Sequence, residues 1–431
     1  MVTYMKKTIP YQDQVFWYLK RPETEVLRKS IRTEVVVIGG GMAGLSAAQA
    51  FLKKGKKVVL LEAYYCGAGA TGKSSGFITP NGELGLSDFS SRYGKEGGYA
   101  IWKRIEAGMH NIRKNIEEYN LECDYTKADS LLVANAARHL KTLQAEHDEL
   151  HELGYNSIFF NKEDMRNVVG SEGYYGGITY PENFGISAYK YCQEMKTVLI
   201  KEGAQIYEET PAIYVKDHTV ETLHATVSAD HIIVCADRFI PTFGTLTHQL
   251  YHAQNFILMS QPLAEEEIKM IFPNRQYMVW DTDLIYNYYR LSGNRLILGG
   301  GSLLSTYNKN ETHNSNYMYH KLTRYFRKKF PQITIQFEQM WPGLIGISKD
   351  IAPILGTDNT MSSVYYIGGA AGLPVAAGLG IYSADHIIDQ ADDLKDYFSP
   401  YRSFPIGNFA QNILGTKLSF ALSNVIKLNV P

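Results

Sequence analysis

Three glycines, Gly39, Gly41 and Gly44, stand between the apolar run VVVI and the alanine-rich segment AGLSAAQAFLKK, and Glu62 ends the next apolar run, KKVVLLE. A GxGxxG spacing has a chemical use. The first glycine permits a tight turn, the second lets the backbone approach a pyrophosphate, and the third lets a helix pack closely on the preceding strand. The N-terminus of that helix presents unpaired N–H groups and a positive dipole end to phosphate. Glu62 can accept hydrogen bonds from both hydroxyls of an adenosine ribose, and no basic residue stands there to favour a 2′-phosphate. A bare glycine motif is weak, but here the strand, the helix and the acid are all in place. By itself the motif does not separate NAD from FAD, and a purely structural βαβ turn is the alternative.

The other reactive side chains are sparse or unpatterned. Cys66, Cys123, Cys192 and Cys235 show no CxxC and no metal-ligand spacing, which suits free thiols in a reducing compartment. The twelve histidines form no HxxxH or Ser/His/Asp pattern, so no metal site is expected, and His252 reads as packing. With 43 basic and 44 acidic residues, nothing argues for a nucleic-acid partner. Tyrosine, at 31 residues, is frequent enough to build an apolar pocket with polar tips. The N-terminus MVTYMKKTIPYQDQVFWYLKRP has no apolar core or cleavage site of a secretory signal, and no run of about eighteen apolar residues occurs. A cytoplasmic chain is expected. In the tail, Leu414, Leu418, Ala421, Leu422, Val425 and Ile426 recur at helical spacing. Packing of this amphipathic helix on the protein or on a second subunit is expected over peripheral membrane contact, because only Lys417 and Lys427 add basic charge.

The elements that must position these residues follow from periodicity. The opening βαβ unit is followed by GAGATGKSSGFITP, Gly67 to Pro80, too rich in small residues for a regular element. Residues 96 to 153 read as helical, and Lys190 to Tyr207 as a helix and then a strand. ADHIIVCAD, Ala229 to Asp237, is another buried strand. From His252 to Gly300 the pattern turns to strands without intervening helices, ending in a hairpin through SGN. Glycines return in WPGLIGISKDIAPILG and VYYIGGAAGLPVAAGLG, before a last α/β helix. The simplest architecture is a discontinuous α/β dinucleotide domain interrupted by a second, antiparallel-sheet-based domain.

This order, with VVVIGGGMAGLSAA and Glu62, GAGATGKSSGF, ADHIIVCAD and the two C-terminal glycine blocks, resembles the FAD-dependent oxidoreductases typified by D-amino-acid oxidase, glycine oxidase and sarcosine oxidase. FWYLKRP and DTDLIYNYYRLSGNRLILGGG look most like the γ-glutamylputrescine oxidase branch. The resemblance implies a Rossmann-like, discontinuous FAD-binding domain (34–95, 185–247, 341–395) and an α+β substrate domain (96–184, 248–340). An N-terminal extension (1–33) and a C-terminal tail (396–431) flank them. It places Gly39, Gly41, Met42, Ala43 and Gly44 on the pyrophosphate and Glu62 with Ala63 at the ribose. Thr71, Gly72, Lys73, Ser74, Ser75 and Gly76 fall near the ribityl chain and ring. Pro211 and Ala212 fall at the adenine edge, Ala236 beside the cofactor, and Gly343, Gly369 and Leu373 toward the flavin ring.

Departures from the family pattern carry expectations too. Where some relatives tether flavin through a cysteine, Gly343 stands, so FAD is expected without a covalent bond. Ile345 replaces the glycine-oxidase arginine that grips a carboxylate, and Ala376 replaces a sarcosine-oxidase lysine. A small α-amino acid in the usual orientation is therefore disfavoured. Ile297 stands where a lysine aids reaction with oxygen, leaving O2 or a carrier as electron acceptor. The expected reaction is hydride transfer from a C–N bond of an amine or amino acid to flavin N5. A dehydrogenase serving a quinone or carrier protein, and a non-enzymatic protein with structural FAD, are the alternatives. In the strand around Tyr286–Arg290, alternation sends Tyr286, Tyr288 and Arg290 to one face and Asn287 and Tyr289 to the other. Tyr289 is expected to face the flavin, Arg290 to bind ligand or to pair with an acid, and Lys73 to offer positive charge to the reduced cofactor or to stand as a solvated surface lysine.

Overall fold

The computed structural model describes residues 15–18, 25–302, 307, 315–394 and 396–429, with side chains to Val425. Most of the N-terminal extension, including Leu19 to Pro22 of FWYLKRP, and the side chain of Ile426 in the tail stripe lie outside what is described. The chain opens with β1 (Ile31–Ile38), α1 (Met42–Lys53) and β2 (Val58–Leu61), then α2 (Ala70–Lys73), β3 (Phe77–Ile78) and the long α3 (Leu86–Tyr119). β4 (Thr126–Lys127), β5 (Ser130–Val133), α4 (Leu140–Glu152), β6 (Phe159–Asn161), α5 (Met165–Val169), β7 (Gly176–Tyr180) and β8 (Phe184–Gly185) follow. α6 (Ala188–Lys201) leads through β9 (Gln205–Tyr207), β10 (Ala212–Lys216) and β11 (Thr219–Thr222) to β12 (Thr226–Val234). Next come β13 (Leu250–Pro262), α7 (Glu265–Ile271), β14 (Met278–Asp281), β15 (Asn287–Ser292), β16 (Arg295–Gly301) and α8 (Asn316–Lys329). β17 (Phe337–Ser348), β18 (Ile354–Thr357), β19 (Val364–Gly368), α9 (Leu373–Asp389), α10 (Asn408–Leu414) and α11 (Thr416–Asn429) complete it.

Val35 to Ile38 are apolar without interruption because β1 is the centre of a sheet covered on both faces. It pairs in parallel with β2 (Val35 opposite Val58) and with β12 (Val35 opposite His231). The outer edge of β12 is shared: its first half pairs with β11 and its second half with β19. The carboxyl ends of β1, β2, β12 and β19 therefore gather at one rim, where open parallel sheets bind ligands.

The second sheet runs β17-β13-β16-β15-β14-β5-β7-β6 and is antiparallel except where β14 meets β5. Its β15–β16 hairpin closes Ser292 against Arg295, with Gly293 at φ +58° supplying the left-handed turn residue. The period of two divides its side chains between two cores. Phe256, Leu258, Tyr289, Leu291 and Leu298 pack with Leu322 and Phe326 of α8 and with Phe330 just past it, while Ile257, Met259, Tyr288 and Ile297 belong to the core shared with the first sheet. Where α9 crosses α1 and α3, a methyl group added at Gly378 would overlap Arg104 O, and one at Gly380 would overlap Ala43 O. These two glycines serve close helix packing.

Several sequence expectations need correction. Residues 67–80 contain α2 and β3, since the small residues that discourage a long helix still permit one turn. The helical stretch expected over 96–153 is two helices separated by β4 and β5. α7 interrupts the strand-only region, its Glu267 carboxylate accepting from Ala264 N at 2.8 Å as a helix start. β17 crosses the boundary expected at 341 and pairs along its length with β13 in the second sheet. The tail helix packs on the protein, but Phe420, Ser419, Ser423 and Asn424 face inward while Leu418 and Leu422 are exposed.

Candidate active site

The turn after β1 is built from contacts no side chain could share. Gly39 N donates to Leu61 O at 2.8 Å, and at φ +109° an added methyl group would sit 2.6 Å from Cys235 O at the end of β12. A methyl group at Gly44 would overlap Gly39 O, so α1 can start only where glycine stands. Gly41 occupies the N-cap position with no side-chain cap, leaving the helix start to backbone and to Thr71, whose Oγ1 accepts from Met42 N at 3.1 Å. Glu62 accepts from Gly40 N at 2.7 Å and from Tyr64 N at 2.8 Å, while burial pushes its carboxyl up. Thr210 N donates to Glu62 O, bringing Pro211 and Ala212 beside Glu62 and the exposed Ala63. Cys235 N bonds Ile38 O, and so Ala236 borders the same turn. Cys66 is packed beneath it against Gly40, and burial raises its thiol well above the usual range.

The segment Thr71–Gly76 is held from behind. Trp17 Nε1 donates to Gly72 O, Trp341 Nε1 to Lys73 O at 2.9 Å, and Arg290 Nε to Ser75 O at 2.5 Å. Ser74 Oγ bonds Thr71 O at 2.8 Å. The buried Arg290 also donates to Ile186 O (2.7 Å) and Leu291 O (2.8 Å), and burial lowers its guanidinium to about 10. It therefore meets neither an acid nor the cavity described next: it is a clamp on three carbonyls. Gly76, at φ +74°, lets the chain pass Ile186 O and the guanidinium. In the two C-terminal glycine blocks, Gly343 lies in β17 opposite Asn255, Gly369 follows β19 and Leu373 starts α9. Asp237, which sequence reasoning overlooked, ties them together by accepting from Gly346 N at 2.6 Å and Gly369 N at 3.1 Å.

A cavity of about 90 Å³ opens between the second sheet and the glycine blocks. Tyr286, Tyr288, Asn255, Ile345, Gly300 and Glu83 line it, and Asn424 and Val425 of α11 close one side. An added methyl group at Gly299 would overlap the Tyr288 ring, so the flat run Gly299–Gly301 makes room for this wall. Asn255 Nδ2 bonds Tyr288 OH at 3.2 Å, and Tyr286 OH donates to Glu83 Oε1 at 2.9 Å. Alternation was read correctly, but the expectation for Tyr289 fails. Its ring packs between Phe272, Phe326 and Phe330 in the other core, and its hydroxyl meets Tyr174. Tyr286 and Tyr288 are the residues that reach the cavity.

The model of the DAO family, FAD dependent oxidoreductases, matches residues 34–386. The chain belongs to this family. Its cofactor is FAD, and it is an oxidoreductase of the amine and amino-acid oxidase type. A probable oxidoreductase OrdL of Haemophilus influenzae is 26% identical over 80% of this chain and 79% of that protein. γ-Glutamylputrescine oxidoreductase of Escherichia coli is 25% identical over 81% of each. Among solved structures, glycine oxidase of Geobacillus kaustophilus shares the fold, with TM-score 0.73 at 17% identity over 86% of this chain and 99% of its own.

The residues present in this oxidoreductase fit FAD. The glycine turn is a cradle any Cβ would fill, Glu62 stands at the tip of β2, and the carbonyls of residues 72, 73 and 75 are anchored by Trp17, Trp341 and Arg290. No local pattern marks Trp17 and Trp341 as anchors, because the partner of each is a carbonyl far away in the chain. Glu83 was missed for the same reason, lying in a loop without a motif. No helix among the described residues is long and apolar enough to cross a membrane.

Proposed function

We propose that this oxidoreductase oxidises a C–N bond of an amine, with a hydride equivalent passing to flavin N5. Bound FAD supplies the two-electron acceptor. In this reading Gly39, Gly41, Met42, Ala43 and Gly44 hold the diphosphate, Glu62 and Ala63 the ribose, and Pro211, Ala212 and Ala236 the adenosine side. Thr71, Gly72, Ser74, Ser75 and Gly76 line the ribityl chain and ring, with Gly343, Gly369 and Leu373 closing from the opposite block. Gly343 has no side chain to form a tether, and FAD is held without a covalent bond. Lys73, at the end of α2, offers positive charge to the reduced cofactor. The protein's own work is to hold the substrate in line and to keep water out.

The observation that carries this reading is the cavity wall. Among its described residues no Lys, Arg or His occurs, and Ile345 stands in it. A substrate carboxylate would be buried without a cationic partner, whereas an amine meets hydroxyls, amide groups and one acid. Similarity to a protein named for γ-glutamylputrescine points the same way. Purified protein carrying FAD, mixed without oxygen with a panel of amines and α-amino acids, should lose its visible flavin absorbance with at least one amine. Retention of that absorbance with every amine overturns the proposal. Admitting air afterwards reads the acceptor: rapid recovery of colour means O2, and slow recovery means a carrier.

A further inference from the structure

Glu83 is a carboxylate set in a wall of tyrosine and aliphatic side chains. Among the described residues its hydrogen-bond partner is the Tyr286 hydroxyl, and no Lys, Arg or His forms an ion pair with it. An ionised carboxylate can accept about four hydrogen bonds, so most of its capacity is unspent. Glu83 is half-buried, and withdrawing its carboxylate from water without a counter-charge is unfavourable and pushes the carboxyl up. The Tyr286 and Tyr288 rings stand 5.8 Å apart beside it, presenting electron-rich faces that attract a cation. The loop that carries Glu83 is pressed against the second glycine block, where a methyl group added at Gly82 would lie 2.7 Å from Ala371 O. The acid is thus fixed next to the segment assigned above to the flavin ring.

We propose that Glu83, with Tyr286, anchors a substrate ammonium group that stays protonated through the reaction, and that the substrate is a diamine or longer polyamine. The inference rests on the amine-oxidising reading above. The nitrogen undergoing oxidation must carry a free lone pair, so the ammonium held by Glu83 is a different one. Two nitrogens on one chain follow. At about 10–15 Å³ for each water-sized occupant, a cavity of about 90 Å³ admits a short aliphatic chain between them.

The test compares binding of α,ω-diamines of three to six carbons with the matching 1-aminoalkanes, by calorimetry on the FAD-loaded protein without oxygen. At least one diamine should bind tenfold or more tightly than its matching monoamine. Glu83→Gln, which keeps the shape and the Tyr286 bond, should erase that preference while leaving flavin content unchanged. Tyr286→Phe should keep the preference, because the charge remains. Equal binding of every matched pair by the wild type, or a preference that survives Glu83→Gln, overturns the proposal. The outcome is separable from that of the amine-oxidising reading: preferential binding without loss of flavin colour sinks the reaction and leaves the anchor, and colour loss without preference does the reverse.

Discussion

Replacing Arg290 with methionine leaves the buried Ile186 O and the half-buried Ser75 O without this donor, and at roughly 1–3 kcal/mol for each unsatisfied group the protein should lose about 3 kcal/mol of stability. Flavin content should fall with it, because the Thr71–Gly76 wall loses its clamp; a urea midpoint and a flavin-to-protein absorbance ratio read the two effects. Its neighbour Tyr289 answers differently. Tyr289→Phe removes one long hydroxyl contact to Tyr174 at 3.4 Å, and should cost about 1 kcal/mol or less with turnover unchanged. A drop in turnover for Tyr289→Phe as large as that for Arg290→Met would contradict the faces assigned here. The alternation of these side chains was legible from the strand period. Which face meets the cavity was not, because that depends on α8 covering one side of the sheet.

At the scale of elements, the glycine-rich C-terminal block divides into two uses that look alike in sequence. Gly369, at φ +60°, turns the chain after β19 and donates to Asp237, whereas Gly378 lies within α9 where it crosses α3. Gly378→Ala puts a methyl group into Arg104 O, and overpacking of this kind costs about 1–3 kcal/mol. Gly407→Ala, at the start of α10 with open space around it, should stay within about 0.5 kcal/mol. Thermal unfolding of the two variants side by side checks the contrast, and equal shifts would refute the close-crossing account. The opening βαβ unit was readable in full because its strand, turn and helix are neighbours in the chain. β17 was not, because its twelve residues choose their sheet by pairing with β13, and a one-dimensional pattern carries no pairing.

Across the whole molecule, one wall is assembled from distant parts of the chain: Trp17 from the N-terminal segment, Arg290 from β15 and Trp341 from β17 all donate to carbonyls of residues 72–75. Trp17 and Trp341 also meet edge to face, with ring centroids 5.1 Å apart. Trp17→Leu keeps an apolar side chain and removes the donor, so it should lower flavin retention after gel filtration several-fold while the far-ultraviolet dichroism stays unchanged. Full retention would show that this anchor is dispensable. By itself the sequence determined the glycine turn after β1, the acid at the tip of β2, the family and the alternation along β15, since each is written in spacings of a few residues. Only the tertiary structure decided that Arg290 is a clamp, that Glu83 and Tyr286 share a cavity, and that the tail helix closes one side of it. Those facts depend on side chains brought together across as many as 200 or more residues, by packing that no local periodicity encodes.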